Sequence, residues 1–261
     1  IAQFVAKGNI YFPEEVVFGD ALCRIMQTPA PQPENAPLPE VDKKTIRAIV
    51  DAAPDGYLAP DKVQALLDAA GIVRAGEAVV TSAEEAVKAA EKLGYPVVMK
   101  VVGPVHKSDV GGVKLNVKDA ATVRAEFERM IQIKDTTAIL LQPMLSGSEL
   151  FVGGKRDERF GAMVLCGMGG IFIEVLKDVV AGLAPIATPE AMEMIAKLRS
   201  VKILDGVRGQ APIPREKFAE VVSRLSVLMT VAPEIFEMDL NPLLGTEKGV
   251  VAVDARIRIA R

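Results

Sequence analysis

This chain of 261 residues has no tryptophan, one histidine, two cysteines and three tyrosines. A single imidazole, His106, cannot build a multi-histidine metal centre, which excludes zinc-hydrolase chemistry. Cys23 and Cys166 lie far apart, without the spacing of a metal-ligand or redox pair, so a reducing, cytoplasmic setting is expected. No apolar run approaches the roughly 18 residues that cross a bilayer, and no membrane partner is expected. No signal peptide is visible, and an opening at Ile1 leaves the true start open. An excess of positive charge is missing too. With 31 basic and 34 acidic residues the net charge is −3, so no overall field recruits nucleic acid or anionic lipid.

What is present is the composition of a folded globular chain, 50% apolar and 25% charged, with room for one large α/β unit or two modest domains. Residues 28–40, TPAPQPENAPLPE, carry five prolines and no apolar period, and read as a stiff linker. Before it, residues 1–27 offer a strand-like piece at 8–12 and a helix from near Pro13 with Val16, Val17, Leu22 and Ile25 on one period. So short a piece cannot hold a core of its own and reads as the tail of a preceding domain or a peg for a partner.

The main domain is expected over 41–261. Helices are expected at 42–53, with Ile46, Ile49 and Val50 inward, and at 60–70, with Val63, Leu66 and Leu67 inward and Gly71 as the stop. A further helix is expected at 83–93, where Ser82 and Glu85 form the capping-box pattern. The β-branched run VVMKVV then opens a strand at Val97. Beyond it come a helix at 121–131, strands at 138–144, 149–155 and 162–167, helices at 189–200 and 215–232, and strands at 235–240 and 250–254 about a hairpin turn at 245–249. Strands in clusters with helices between them indicate an α+β or mixed-sheet architecture.

Several features carry chemistry. Lys100 sits inside VVMKVV, where an ammonium is costly to desolvate without an anion such as a nucleotide phosphate; the other reading is a lysine on the solvent face of an edge strand. GPVHKSDVGGV follows, a glycine-bearing polar loop whose amides suit phosphate oxygens. His106 in that loop is either structural or a phosphoryl acceptor at ring nitrogen. Near the C-terminus, Glu237, Asp239 and Asn241 alternate along EMDLNPL, with Asp254 in VAVDAR beyond the hairpin. Asp239, Asn241 and Asp254 are hard oxygen ligands of the kind a magnesium–nucleotide uses, or ordinary polarity at strand ends. The glycine-rich pieces ELFVGGKR and GMGGIFIE match neither GxxxxGK[ST] nor GxGxxG.

Taken in order, LGYPVVMK, HKSDVGGV, ELFVGGKRDERFG, GMGGIFIEVLKD, DGVRG and MDLNPL followed by VDARI run from about residue 57 to 257. They resemble the ATP-grasp domain of the ADP-forming (NDP-forming) acyl-CoA synthetases, which are related to the β subunit of succinyl-CoA synthetase. The resemblance implies an ATP-grasp fold, with subdomains at about 57–140 and 141–261, with some interleaving, and the nucleotide between them. Lys100 and Lys107 would bind phosphates, and Gly111 and Gly112 would belong to the loop over them. Gln142, Pro143 and Met144 would face the adenine at the hinge, and Glu149 would hold the ribose or flank the nucleotide. Asn241 and Asp254 would ligate Mg2+ with Asp239 close by, and His106 would be the second station of a phosphohistidine relay.

The implied reaction is acid + CoA + ATP giving acyl-CoA + ADP + phosphate. It would be completed only with a CoA-binding/ligase domain or α subunit, in a hetero-oligomer or homodimer. Two other readings are a nucleotide-sensing module like that fused to some protein acetyltransferases, and an ATP-grasp carboxylate–amine ligase.

Overall fold

The computed structural model describes residues 1–28, 36–103, 111–170, 177–207 and 211–261. It divides into two units, Ile1–Ala36 and Pro37–Arg261. The first holds α1 (Ala2–Ala6) and α2 (Glu15–Gln27). The strand expected at 8–12 does not form: no second strand is available there to make a ladder, and Gly8, at φ 81°, closes α1 through its amide on the Val5 carbonyl. The helix expected after Pro13 is present as α2. Neither helix buries a residue, and Val16 and Ile25 are 69% and 68% exposed.

The second unit opens with α3 (Lys43–Ala52), capped by Asp42, whose carboxylate accepts from the Thr45 amide at 3.0 Å. β1 (Gly56–Tyr57), α4 (Pro60–Ala69), β2 (Ala78–Val80), α5 (Ala83–Leu93), β3 (Val97–Val102), β4 (Val113–Val117), α6 (Ala120–Met130) and β5 (Ala138–Pro143) follow. The remainder is β6 (Ser148–Asp157), β7 (Gly161–Met168), β8 (Val179–Leu183), α7 (Thr188–Ala196), a 3₁₀ turn (Val201–Asp205), α8 (Arg215–Val231), β9 (Ile235–Thr246), β10 (Gly249–Ala252) and β11 (Ala255–Ile259). The fold is α+β, as the clustered strands predict. At α5 the capping box is split: Ser82 Oγ accepts from the Glu85 amide at 3.3 Å, but Glu85 reaches back to the Thr81 amide at 3.0 Å, one residue earlier than the pattern implies.

Two antiparallel sheets result. The smaller runs β2-β5-β3-β4, and the larger runs β1-β11-β9-β6-β7-β8 with β10 on β9. On one face of the smaller sheet Met99, Val101, Ile139 and Leu141 pack with Ala86, Ala90, Val123 and Phe127 of α5 and α6. The larger sheet has a helix-covered face where Leu150, Val152, Val164 and Leu240 meet Phe218, Val222, Leu225 and Met229 of α8. Helix α8 approaches β6 so closely that a Cβ on Gly154 would lie 2.0 Å from Met229 Sδ.

One boundary differs from expectation. Residues 57–75 do not open the smaller layer: β1 pairs with β11, and Val63, Leu66, Leu67 and Ile72 join Ile46 and Val50 in the larger core. The smaller layer therefore spans β2 to β5. The apolar stripes of α3 and α4 are satisfied by each other and by the larger core, which is non-local information that periodicity does not carry. The strand expected at 250–254 ends at Ala252, leaving Val253 and Asp254 in the turn before β11.

Candidate functional site

β3 lies between β5 and β4, so Lys100 is not on an edge strand. In the β3–β5 ladder Val98 pairs with Gln142 and Lys100 with Leu140. Period-2 alternation therefore puts Lys100 and Gln142 on one face as diagonal neighbours, opposite the face that packs on α5 and α6. Lys100 Nζ donates to Gln142 Oε1 at 2.8 Å. Gln142 is 2% exposed, and its Nε2 donates to Glu77 Oε2 at 2.6 Å and to the Val253 carbonyl at 2.9 Å. The smaller sheet is thus stitched to the turn before β11 in the larger one. On the larger layer's side, residues 73–75 pair with β10: the Ala75 amide donates to the Ala252 carbonyl at 2.8 Å, and the Ala252 amide to the Val73 carbonyl at 2.9 Å.

Glu77 was not singled out by the sequence, because nothing in the run before β2 marks a carboxylate that only the meeting of two sheets buries. Burial pushes it above the ordinary carboxylate range; its hydrogen bond from Gln142 and the charges of Arg74 and Lys100 pull it back, and Asp254 adds to the upward push.

The acidic set lies on the larger sheet. Asp239 stands opposite Arg256 in the β9–β11 ladder, and the Asn241 amide donates to the Asp254 carbonyl at 3.1 Å. The ladder between β6 and β9 is irregular between Leu150 and Val152, which pair with Leu243 and Leu240, so Asn241 and Pro242 together oppose Phe151. Asp239 Oδ1 is buried and has no hydrogen-bond partner among the described residues. Burial raises its pKa; Arg256 opposes that, while Asp254 and Glu237 push the same way. Beside it, on the face away from the helices, is a cavity of about 370 Å³ lined by Tyr57, Phe151, Lys155, Glu237, Asp239 and Arg256.

An orphaned carboxylate oxygen close to two more carboxylates, with Arg256 as the positive charge opposite, is a position where a hard divalent cation would add neutralisation. Among the described residues no three carboxylate, imidazole or thiol side chains converge on one point. The protein therefore offers Asp239, Asp254 and the Asn241 amide, and phosphate or water oxygens must complete the shell. On that donor chemistry the residues fit Mg2+ delivered with a nucleotide.

The other singled-out residues have partners of their own. Met144 follows β5, its amide donating to the Pro96 carbonyl at 2.8 Å, and Pro143 is half-buried at the strand end. Glu149 is exposed at the start of β6; its carbonyl accepts from the Gly169 amide at 2.8 Å. Gly170, at φ 57°, lies so close that a Cβ there would stand 2.6 Å from Glu149 Oε2. The Gly112 carbonyl accepts from the Val101 amide at 2.8 Å and the Gly111 carbonyl from Arg129 Nη2 at 3.2 Å, so the two glycines are tied to β3 and α6. His106 and Lys107 lie outside the described residues, as does the segment 171–176 of GMGGIFIE. Cys166 plays no part: it lies in the larger core with its thiol pushed up to about 12 by burial. Among the described residues no helix is long and apolar enough to cross a membrane.

Comparison with known proteins gives concordant matches. The family model described as ATP-grasp domain matches residues 50–259. Over 201 residues the chain is 44% identical to acetate–CoA ligase [ADP-forming] I of Archaeoglobus fulgidus, a match covering 74% of this chain and 29% of that protein. It is 42% identical over 189 residues to the β subunit of acetate–CoA ligase [ADP-forming] I of Pyrococcus furiosus, covering 69% of this chain and 82% of the subunit. The chain therefore spans less than a third of the first of these relatives and about four-fifths of the second. Among solved structures it superposes on acetyl-coenzyme A synthetase 1 of Ca. Korarchaeum cryptofilum in complex with coenzyme A and Ca-AMPCP, with TM-score 0.76, 33% identity and coverage of 84% of this chain and 100% of that one. A second structure of that protein, TM-score 0.73 at 33% identity and the same coverage, holds coenzyme A and Mg-AMPPCP with its phosphohistidine segment pointing towards the nucleotide binding site.

Proposed function

The chain belongs to the ATP-grasp domain family, and from that premise we propose that it is the nucleotide-binding part of an ADP-forming acid–CoA ligase, acting reversibly in acid + CoA + ATP = acyl-CoA + ADP + phosphate. The observation that carries this reading is the seam itself. A lysine on the smaller sheet and an under-neutralised oxygen set on the larger one are joined through Gln142, Glu77 and the 253–254 turn. In this reading the cationic and anionic groups would line the two sides of one cleft, which is what a polyphosphate with its divalent cation requires.

In this reading Lys100, with Lys107, neutralises phosphate oxygens. Glu149 and the backbone of the 142–144 segment face the nucleoside, and Gly111 and Gly112 lie near the phosphates. Mg2+, held by Asn241, Asp254 and Asp239, would supply charge neutralisation for the phosphates when bound. His106 is the phosphoryl carrier. The lone pair of its neutral ring nitrogen forms the N–P bond as the bond from the γ-phosphorus to the β,γ-bridging oxygen breaks, and ADP leaves with that electron pair. The phosphoryl group then passes to a histidine on the CoA-binding/ligase domain or α subunit, whose chemistry selects the acid. The first unit buries none of its apolar side chains within itself, which supports its packing against that ligase half.

The experiment is incubation of this chain with γ-³²P-ATP and Mg2+. An acid-labile, base-stable label is expected, lost in His106→Ala, with no acyl-CoA formed until the ligase half is added. Bound nucleotide without label would favour a sensor. Full turnover of His106→Ala with an amine acceptor would favour a carboxylate–amine ligase.

A further inference from the structure

Gln142 is buried at 2% exposure with its side-chain amide fully engaged. The three partners come from three parts of the chain: Lys100 from β3, Glu77 from the approach to β2, and the Val253 carbonyl from the turn before β11 in the other sheet. An ammonium needs an acceptor, whereas a carboxylate and a carbonyl each need a donor. A primary amide answers all three at once, and the partners fix which end is oxygen. Both Nε2 hydrogens are consumed, so the side chain has no donor left for an adenine or a ribose.

We infer that Gln142 is a positioning residue, acting on the nucleotide through Lys100 and the 253–254 turn rather than touching it; this rests on the nucleotide-site reading above. A lysine ammonium on its flexible four-carbon stem loses rotamer entropy when it is held against phosphate. Gln142 Oε1 removes part of that loss beforehand by holding Nζ on the cleft face of β3. The same amide grips the carbonyl next to Asp254, so one side chain sets the separation between the phosphate-binding cation of one sheet and an oxygen ligand of the other. Glu77 keeps the amide from turning over, since a flip would set Gln142 Oε1 against its carboxylate. The charged groups around this pair are Arg74, Lys100 and Asp254.

The test is calorimetric titration of the full 261-residue chain with Mg-ATP and with adenosine. Gln142→Leu is expected to weaken Mg-ATP binding by about tenfold or more, the size of a charge-assisted hydrogen bond, while adenosine binding changes less than about threefold. In a Lys100→Met background the further effect of Gln142→Leu on Mg-ATP is expected to be clearly smaller than in the parent, because the part exerted through Lys100 is already lost and only the part exerted through the 253–254 turn remains. Equal losses with both ligands, or losses that multiply in the double variant, would overturn the proposal. If Gln142→Leu does not fold, as judged by circular dichroism and melting, Gln142→Glu takes its place. It keeps the volume and an acceptor for Lys100 but removes both donors, and the same ATP-selective loss is expected because a carboxylate holds the ammonium harder against release to phosphate. Unchanged ATP affinity there overturns the proposal as well. A parent chain that binds neither ligand refutes the site reading together with the positioning role; a parent that binds, with no selective loss on substitution, refutes the positioning role by itself.

Discussion

Replacing Glu234 by glutamine should destabilise the protein at neutral pH and leave it nearly unaffected in acid. Arg47 of α3 donates to both carboxylate oxygens of Glu234, at 2.7 Å and 2.9 Å, and its Nη1 also reaches the Val231 carbonyl at the end of α8 at 3.2 Å. This fork ties α3, which delivers Ile46 and Val50 to the larger core, to the segment that enters β9. The Arg47 guanidinium holds the Glu234 carboxyl down from 4.5 to about 2. Such a displacement corresponds to roughly 3 kcal/mol for a fully shielded pair. With side chains 33% and 24% exposed, solvent screening reduces the contribution, and about 1–2 kcal/mol is a reasonable size. For a protein of this length that is about 3–6 °C in Tm. Because the folded pKa is depressed, the contribution is complete above pH 4.5 and is lost as the pH falls towards 2. Thermal unfolding of parent and Glu234→Gln followed by circular dichroism at pH 7, 5, 3.5 and 2.5 reads this directly. The gap should be full at pH 7 and 5 and shrink below pH 4.5. A gap that is as large at pH 2.5 as at pH 7, or no gap at pH 7, would refute the reasoning.

Asp239→Asn should raise Tm in metal-free buffer at pH 7, since an ionised carboxylate whose pKa burial has raised costs stability above that pKa. The same variant should lose most of the extra stabilisation given by Mg-nucleotide, and a lower metal-free Tm would count against the orphaned oxygen as a cation site. Gly167→Ala should cost more than Gly154→Ala in chemical denaturation. The first places Cβ 2.4 Å from the Asp178 backbone carbonyl, whereas the second meets the Met229 side chain, which can turn aside; midpoints differing by about 1 kcal/mol or more are expected, and the reverse order would contradict the packing. In a thiol titration of the native protein at pH 8, exposed Cys23 should react at once and buried Cys166 only after unfolding. Two fast equivalents would show that the larger core is open.

Local chemistry carried much of the fold into the sequence. The periods of α3 and α4, the cap at Ser82 and the β-branched run at Val97 are properties of neighbouring residues, and their elements stand within a residue or two of where those signals put them. Strands β1, β2, β8 and β11 were not anticipated, because short half-exposed runs with mixed polarity owe their pairing to partners distant in the chain. The piece at 8–12 shows the converse: a strand-like composition forms no strand where it has no ladder to join.

The site divides in the same way. Lys100, Asp239, Asn241 and Asp254 could be singled out from sequence as candidates for phosphate and divalent-cation chemistry, since charge inside an apolar strand and alternation along EMDLNPL are one-dimensional facts. That β3 is an inner strand, that Glu77 is buried against Gln142, and that this amide is spent on a lysine, a carboxylate and a carbonyl were decided only when the two sheets met. Hydrogen-bond saturation and burial are properties of that packed junction. No pattern of neighbours along the chain encodes them, which is why the sequence identified the charged groups and the tertiary structure alone decided which side chain holds them in place.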